Sequence, residues 1–191
     1  GMGFDGVLDG NGHTVKGLYI SKRNGYGYYG FMGVIREDSV VKNLNISGEI
    51  ELSGLTGREY VGGLAAASYN AKVVNCSSLV NIRLKKTESS GSYYPAAGGL
   101  IGLIQYSNKQ KAFTAEDCEF KGYLELSDTK NNREPKGIGG IVGRIEANAQ
   151  LTRCINSADI RADKALGAGG IAGYAYANNY SVKIEDCANL A

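Results

Sequence analysis

The sequence predicts an all-β chain wound as a parallel β-helix (β-solenoid) of about six turns, right-handed, on two columns of repeating residues and one of alternating charge. The segments YYGFMG, YVGGLAA, AAGGLIG, GIGGIVG and GAGGIAG put glycines at Gly30, Gly63, Gly99, Gly140 and Gly170, separated by 33, 36, 41 and 30 residues. A second block follows each of them and aligns Leu44, Cys76, Cys118, Cys154 and Cys187, with Leu18 of VKGLYI as the equivalent one turn earlier. Seven residues beyond that column stand Glu51, Arg83, Glu125 and Arg161, whose sign alternates from turn to turn. A fixed period of this length is the mark of stacked repeats, in which each unit buries its apolar face on its neighbours.

The elements of one turn follow in order. Three positions before the Leu/Cys column the residues are apolar: Val15, Val41, Val73, Ala115, Leu151 and Ile184. Just before it come Gly17, Asn43, Asn75, Asp117, Arg153 and Asp186. A spacing of three cannot hold both apolar columns on one face of a straight strand, so a bend is expected at the Gly/Asn/Asp column. Beyond the bend the alternation is strict, as in Leu44, Ile46, Gly48, Ile50, Leu52 or Cys76, Ser78, Val80, Ile82, Leu84. Period two means strand. The stretches 84–97, 105–114 and 126–137 read as exposed loops where turns grow. The glycine block then supplies another strand with Phe31, Leu64, Leu100, Ile141 and Ile171 facing inward. A β-sandwich is the competing architecture, but it needs tight hairpin turns and leaves the columns without a cause.

Composition narrows the function. With 191 residues, one histidine and a net charge of +2, chemistry needing two histidines is excluded, and so is a concentrated basic face for nucleic acid. No apolar run of about 18 residues exists, so no membrane span is expected in this chain. The opening GMGFDG carries no signal-peptide features. The last turn stops at Ala191 before its strand is complete, so residues 1–191 read as one solenoid domain, a fragment of a longer protein.

No catalytic, cofactor-binding or metal-binding residue is assigned. The cysteines follow the repeat rather than a paired zinc spacing, and leucine fills their slot in two turns. They read as small buried hydrophobes, although a disulfide between adjacent turns is compatible with a Cα separation of roughly 4.8 Å. His13 sits in a turn, Asp9-Gly10-Asn11-Gly12-His13-Thr14, with no nucleophile placed beside it. Calcium held by Asp5, Asp9 and Asn11 matches neither an EF-hand nor the glycine-rich nonapeptide. Asp117, Glu119 and Asp186 are the nearest candidates for a polysaccharide-cleaving acid cluster, but Arg153 stacks between Asp117 and Asp186. On the glycine strand the position after the inward column, expected to face outward, is also apolar. Met32, Ile101, Leu103 and Val142, continued by Tyr174, Tyr69 and Tyr176, therefore form the candidate binding surface. Buried sheets that are apolar on both faces are the alternative. Tyr26, Tyr28, Tyr29, Tyr60, Tyr93, Tyr94, Tyr106 and Tyr180 gather at the mouths of this strand and suit protein or sugar recognition.

The opening FDGVLDGNGHTVKGLYI, then GYYGFMG with VVKNLNISGEI, then the recurring GG-[LI]-x-[GA] followed by a strand ending in N-C or D-C, resemble the GLUG-motif repeats of bacterial surface adhesins and of the non-catalytic regions of immunoglobulin A proteases. The resemblance covers nearly the whole chain and departs from the motif at Leu64-Ala65-Ala66, where alanine replaces the final glycine. It implies a secreted or cell-surface module, adhesin-like or a spacer, whose partner is a host or cell-surface protein or glycan. A polysaccharide-active β-helix lyase or hydrolase is the alternative function, and a mechanical stalk the third. An inward Cys118 also makes a prediction: Cys118→Ser should lower stability by roughly 1 to 3 kcal/mol through burial of an unpaired hydroxyl. Chemical denaturation measures this, and unchanged stability would contradict the inward position.

Overall fold

A computed structural model describes residues 3–23, 27–55, 59–86, 95–128, 137–163, 165, 167–176 and 179–191. Among them all regular structure is strand, paired in parallel between successive coils. Each complete coil contributes to four sheets. The first sheet holds Val7–Asp9, Val40–Lys42, Lys72–Val74, Phe113–Glu116, Ala149–Thr152 and Val182–Glu185. The second holds Thr14–Arg23, Asn45–Ser53, Ser77–Lys86, Glu119–Phe120 with Tyr123–Asp128, Ile155–Asn156 with Ile160–Ala162, and Ala188–Asn189. The third holds Gly27–Tyr29, Glu59–Gly62, Ala96–Gly98, Gly137–Gly139 and Gly167–Gly169. The fourth holds Met32–Ile35, Ala65–Tyr69, Ile101–Gln105, Val142–Glu146 and Ala172–Ala175. The β-solenoid has five complete coils, and a sixth begins in the first two sheets.

The bend between first and second sheets lies where the Gly/Asn/Asp column placed it. Asn43, Asn75, Asp117, Arg153 and Asp186 all take φ between 49° and 53°. Asparagine and aspartate tolerate this left-handed region better than other side chains. They also link the coils: Asn75 donates to Asn43 at 2.9 Å, and Asn43 donates to Asp9 at 3.0 Å. Arg153 is the exception in residue type, and its guanidinium bonds Asp117 at 2.7 and 2.9 Å.

The first coil departs from the expected alignment. Leu8, not Val15, pairs with Val41, while Val15 pairs with Ile46 and Leu18 with Gly48 across a bulge. The corner is therefore at Gly10, and Leu18 does not belong to the Leu/Cys column. The cause is the extra turn Gly10-Asn11-Gly12, in which Asn11 and Gly12 both have positive φ, so Val15-Lys16-Gly17-Leu18 only imitates the corner.

Inside, Leu44, Cys76, Cys118 and Cys154 are buried one above another, and Cys187 is half-buried. Each thiol points at a first-sheet carbonyl one coil down: Cys76 at Val41, Cys118 at Val73, Cys154 at Ala115 and Cys187 at Leu151, at 3.5 to 3.7 Å. The cysteines are free. Burial pushes the Cys76 thiol up to about 11, which keeps it neutral.

The third and fourth sheets meet across the glycine pairs and lie backbone against backbone. A Cβ on Gly102 would sit 2.6 Å from the Val61 carbonyl oxygen and 2.7 Å from its nitrogen, and one on Gly143 would meet the Ala97 carbonyl at 2.6 Å. On the other side the turn glycines Gly63, Gly99, Gly140 and Gly170 leave no room for a Cβ against Ser78, Phe120, Asn156 and Asn189 of the second sheet. Val61, Ala97 and Ile138 of the third sheet join one core with Val80, Ile82 and Leu124 of the second. Ile35, Ile104 and Ile145 of the fourth join the same core with Val73, Phe113 and Leu151 of the first. The glycine arch is thus wedged between the two longer sheets.

This close approach has a built-in control. Gly33 occupies the same column as Gly102, yet a Cβ there comes no nearer than 3.9 Å to any atom, because no coil's third sheet lies beneath it. Gly102→Ala should cost at least about 1 to 3 kcal/mol by overpacking, whereas Gly33→Ala should change stability by no more than about 0.5 kcal/mol. Thermal or urea unfolding of the two variants checks the pair.

Candidate binding surface

The apolar stripe expected to face solvent is covered at its centre. Ile101 and Val142 lie in the main core, and Leu103 is 0% exposed. The register explains the burial. The third-sheet column Tyr28, Tyr60, Ala96, Gly137, Gly167 runs against the fourth-sheet column Val34, Ala67, Leu103, Arg144, Tyr174. Where the third sheet carries glycine, the fourth carries its longest side chains. The Arg144 Cβ lies 3.1 Å from the empty Cβ position of Gly137, and the Tyr174 Cβ 3.3 Å from that of Gly167. Both faces of the strand are core, and the contact surface expected from Ile101, Leu103 and Val142 is an intramolecular one. Glycine at one fixed position of successive coils, Gly102, Gly143 and Gly173, is the sequence signal of that approach.

The other members of the stripe reach its edges. Met32 is partly buried against the core, and Tyr174 is half-buried with the Arg144 guanidinium 5.8 Å from its ring. Tyr176 is 44% exposed. Tyr69 is half-buried at the end of its fourth-sheet strand, and in the third sheet the rings of Tyr28 and Tyr60 lie tilted with centroids 5.4 Å apart. Tyr106 and Tyr180 pair at 5.5 Å, and Lys109 lies 5.2 Å over Tyr106. Tyr26, Tyr93 and Tyr94 lie outside the described residues.

A cleft of about 280 Å³ opens beside Tyr69, lined by Val34, Arg36, Glu37, Tyr69 and Ser107. Its far wall is the 105–114 segment, expected to be an exposed loop and here tied to the preceding coils. Asn70, 5% exposed with φ 46°, accepts from the Ser107 and Asn108 backbone N–H groups at 2.8 and 3.0 Å and donates to the Lys111 carbonyl at 2.9 Å. Ser107 donates to Glu37 at 2.6 Å, and Lys111 bridges Glu37 at 3.0 Å and Asp38 at 2.7 Å. These donors hold the Glu37 carboxyl below the usual range, so it stays ionised. Glu37 and Ser107 are 70 residues apart and sit in turns without periodicity, so the repeat gave no sign that they meet.

The second sheet turns its polar side outward. The alternating charges stack in the anticipated register, Arg83 beside Glu51 and Glu125, and Glu125 beside Arg161. Arg83 and Glu51 approach to 3.5 Å, and Tyr123 lies between Arg83 and Arg161, each 5.8 Å from its ring. At the corner Arg153 takes both oxygens of Asp117 and also pairs with Glu116. The guanidinium lowers the Asp117 pKa. A carboxylate held in this way cannot carry the proton that a general acid must deliver. Asp9 is spoken for as well: it accepts from Asn43 and the Asn11 N–H and pairs with Lys42 at 3.1 Å, which holds its carboxyl down at about 2. Among the described residues no group of three or more His, Cys, Asp or Glu side chains is arranged to hold a metal ion. None of them belongs to a helix long and apolar enough to cross a membrane.

The geometry defines a class: a parallel β-solenoid repeat with ion-paired outer ladders. No family model matches the chain, and no solved structure matches it. Halomucin of Haloquadratum walsbyi is 27% identical over 133 residues, which is 70% of this chain and 1% of halomucin. A protein named as a Gly-rich membrane protein, from Evansella cellulosilytica, is 36% identical over 67 residues, 35% of this chain and 7% of that protein. The chain therefore spans only a small part of the length of either relative.

Replacing Arg153 by glutamine should move the Asp117 titration upward, toward the ordinary carboxylate range, with the coil intact. Carboxyl-carbon NMR over an acid titration reads this, and an unmoved Asp117 would show that Arg153 is not the cause of its shift.

Proposed function

We propose that the chain is a non-catalytic module of a bacterial surface protein, an adhesin-like repeat that carries a binding surface on a rigid coil. The observation that carries this reading is the bidentate hold of Arg153 on Asp117 of the preceding coil. A carbohydrate-cleaving centre needs two carboxyl groups whose environments push their proton affinities apart, with one free to protonate a leaving oxygen. Here Asp117 serves as a rung of a charge ladder, and Glu119, nominated with it and Asp186, is ion-paired with Lys121 at 2.8 Å. The relatives support a modular role, since this chain matches a stretch amounting to 1% of halomucin and 7% of a protein named for a membrane. The resemblance to GLUG-motif repeats of surface adhesins points the same way.

The test is to probe the immobilised chain against arrays of glycans and of cell-surface proteins, and in parallel to assay acidic polysaccharides with calcium for newly formed unsaturated ends. Binding without product is the expected outcome. Product formation would replace the module with a lyase, and binding to neither array would reduce it to a mechanical stalk.

A further inference from the structure

We infer that the cleft beside Tyr69 is a subsite for one neutral hexopyranose ring of a glycan, an inference that rests on the binding role proposed above. Its walls bring together the three kinds of group that such a ring requires. Tyr69 and Val34 supply apolar area for the C–H face of a sugar. Arg36 supplies a planar donor, and it has no acidic partner among the described residues. Glu37 supplies an acceptor already fixed in place by Ser107 and Lys111. A donor and an acceptor next to each other in sequence suit adjacent hydroxyls, each of which can give one hydrogen bond and take another.

Charge selects against other small ligands. An anion would approach the carboxylates of Glu37 and Asp38, and a cation would approach Arg36 and Lys111. An uncharged polyhydroxylated group meets neither penalty. The volume, about 280 Å³, lies just below the range of roughly 300 to 1,000 Å³ typical of drug-sized sites, which fits a single ring rather than a chain of them. The site is also pre-organised. Asn70 pins the loop that carries Ser107, so little ordering remains to be done on binding.

The experiment is an NMR titration of the chain with the methyl glycosides of glucose, galactose and mannose, each to tens of millimolar. The expected result is saturable shifts centred on Val34, Arg36, Tyr69 and Ser107 for at least one sugar, weakened about tenfold or more in Arg36→Ala. The Arg36 backbone N–H, which bonds the Phe4 carbonyl at 2.8 Å, is untouched by that change, and the unliganded spectrum verifies the fold. Arg161→Ala, on the second sheet, should bind as the parent does. Shifts centred elsewhere, affinity unaltered by Arg36→Ala, or no shift with any of the three sugars would overturn the subsite. Array binding that survives Arg36→Ala would remove the cleft and leave the surface-module reading standing, whereas a parent chain that binds neither array removes that reading itself.

Discussion

Backbone-to-backbone contact between the third and fourth sheets is the constraint on which the rest of the coil depends. Two sheets with ordinary side chains between them stand about 10 Å apart. Glycine at positions such as 102 and 143 lets this pair close until carbonyl and amide groups of one sheet touch the backbone of the other. Only an arch that thin fits between the first and second sheets while both of its faces stay covered. The core can then be continuous from Phe113 through Ile104 to Val80 and Phe120 without a solvent-filled centre. The demand on the sequence falls on one column, where Gly102, Gly143 and Gly173 forgo a β-carbon while Ala66, in the second coil, keeps one.

The outer surface follows a different rule. Parallel in-register stacking places equivalent residues of successive coils side by side, so a column of one charge would repel itself along its whole length. Alternation of Glu51, Arg83, Glu125 and Arg161 removes that repulsion, and each exposed pair contributes only about 0.2 to 1 kcal/mol. Such a column protects register more than it adds stability. The asparagine and aspartate corner works similarly: one residue type meets the backbone angle and also supplies a side chain that bonds its counterpart in the next coil.

Much of this was legible in the sequence, for a physical reason. Translational stacking converts a three-dimensional neighbour into a sequence neighbour one period away, so the cysteine column, the corner and the charge ladder could all be read directly. Two features escaped. In the first coil Val15-Lys16-Gly17-Leu18 has the apolar and glycine spacing of a corner, while the true corner absorbs the extra residues at 10–12. For the stripe through Ile101, Leu103 and Val142 the sequence leaves an exposed contact face and a doubly buried sheet both open, because alternation tells which residues share a face but not what lies over that face. The cleft at Tyr69 was half visible: the tyrosine follows from the repeat, whereas Glu37 and Ser107 come from turns whose meeting depends on the Asn70 anchor.

The ladders have a mechanical corollary. Because the strands pair from coil to coil, the backbone hydrogen bonds run along the stacking direction, and a pull on the two ends loads successive rungs in series rather than in shear. Resistance to tension would then be set by the weakest rung instead of the sum of all of them, and a chain of this kind would yield one coil at a time, lengthening by some thirty to forty residues of slack at each step.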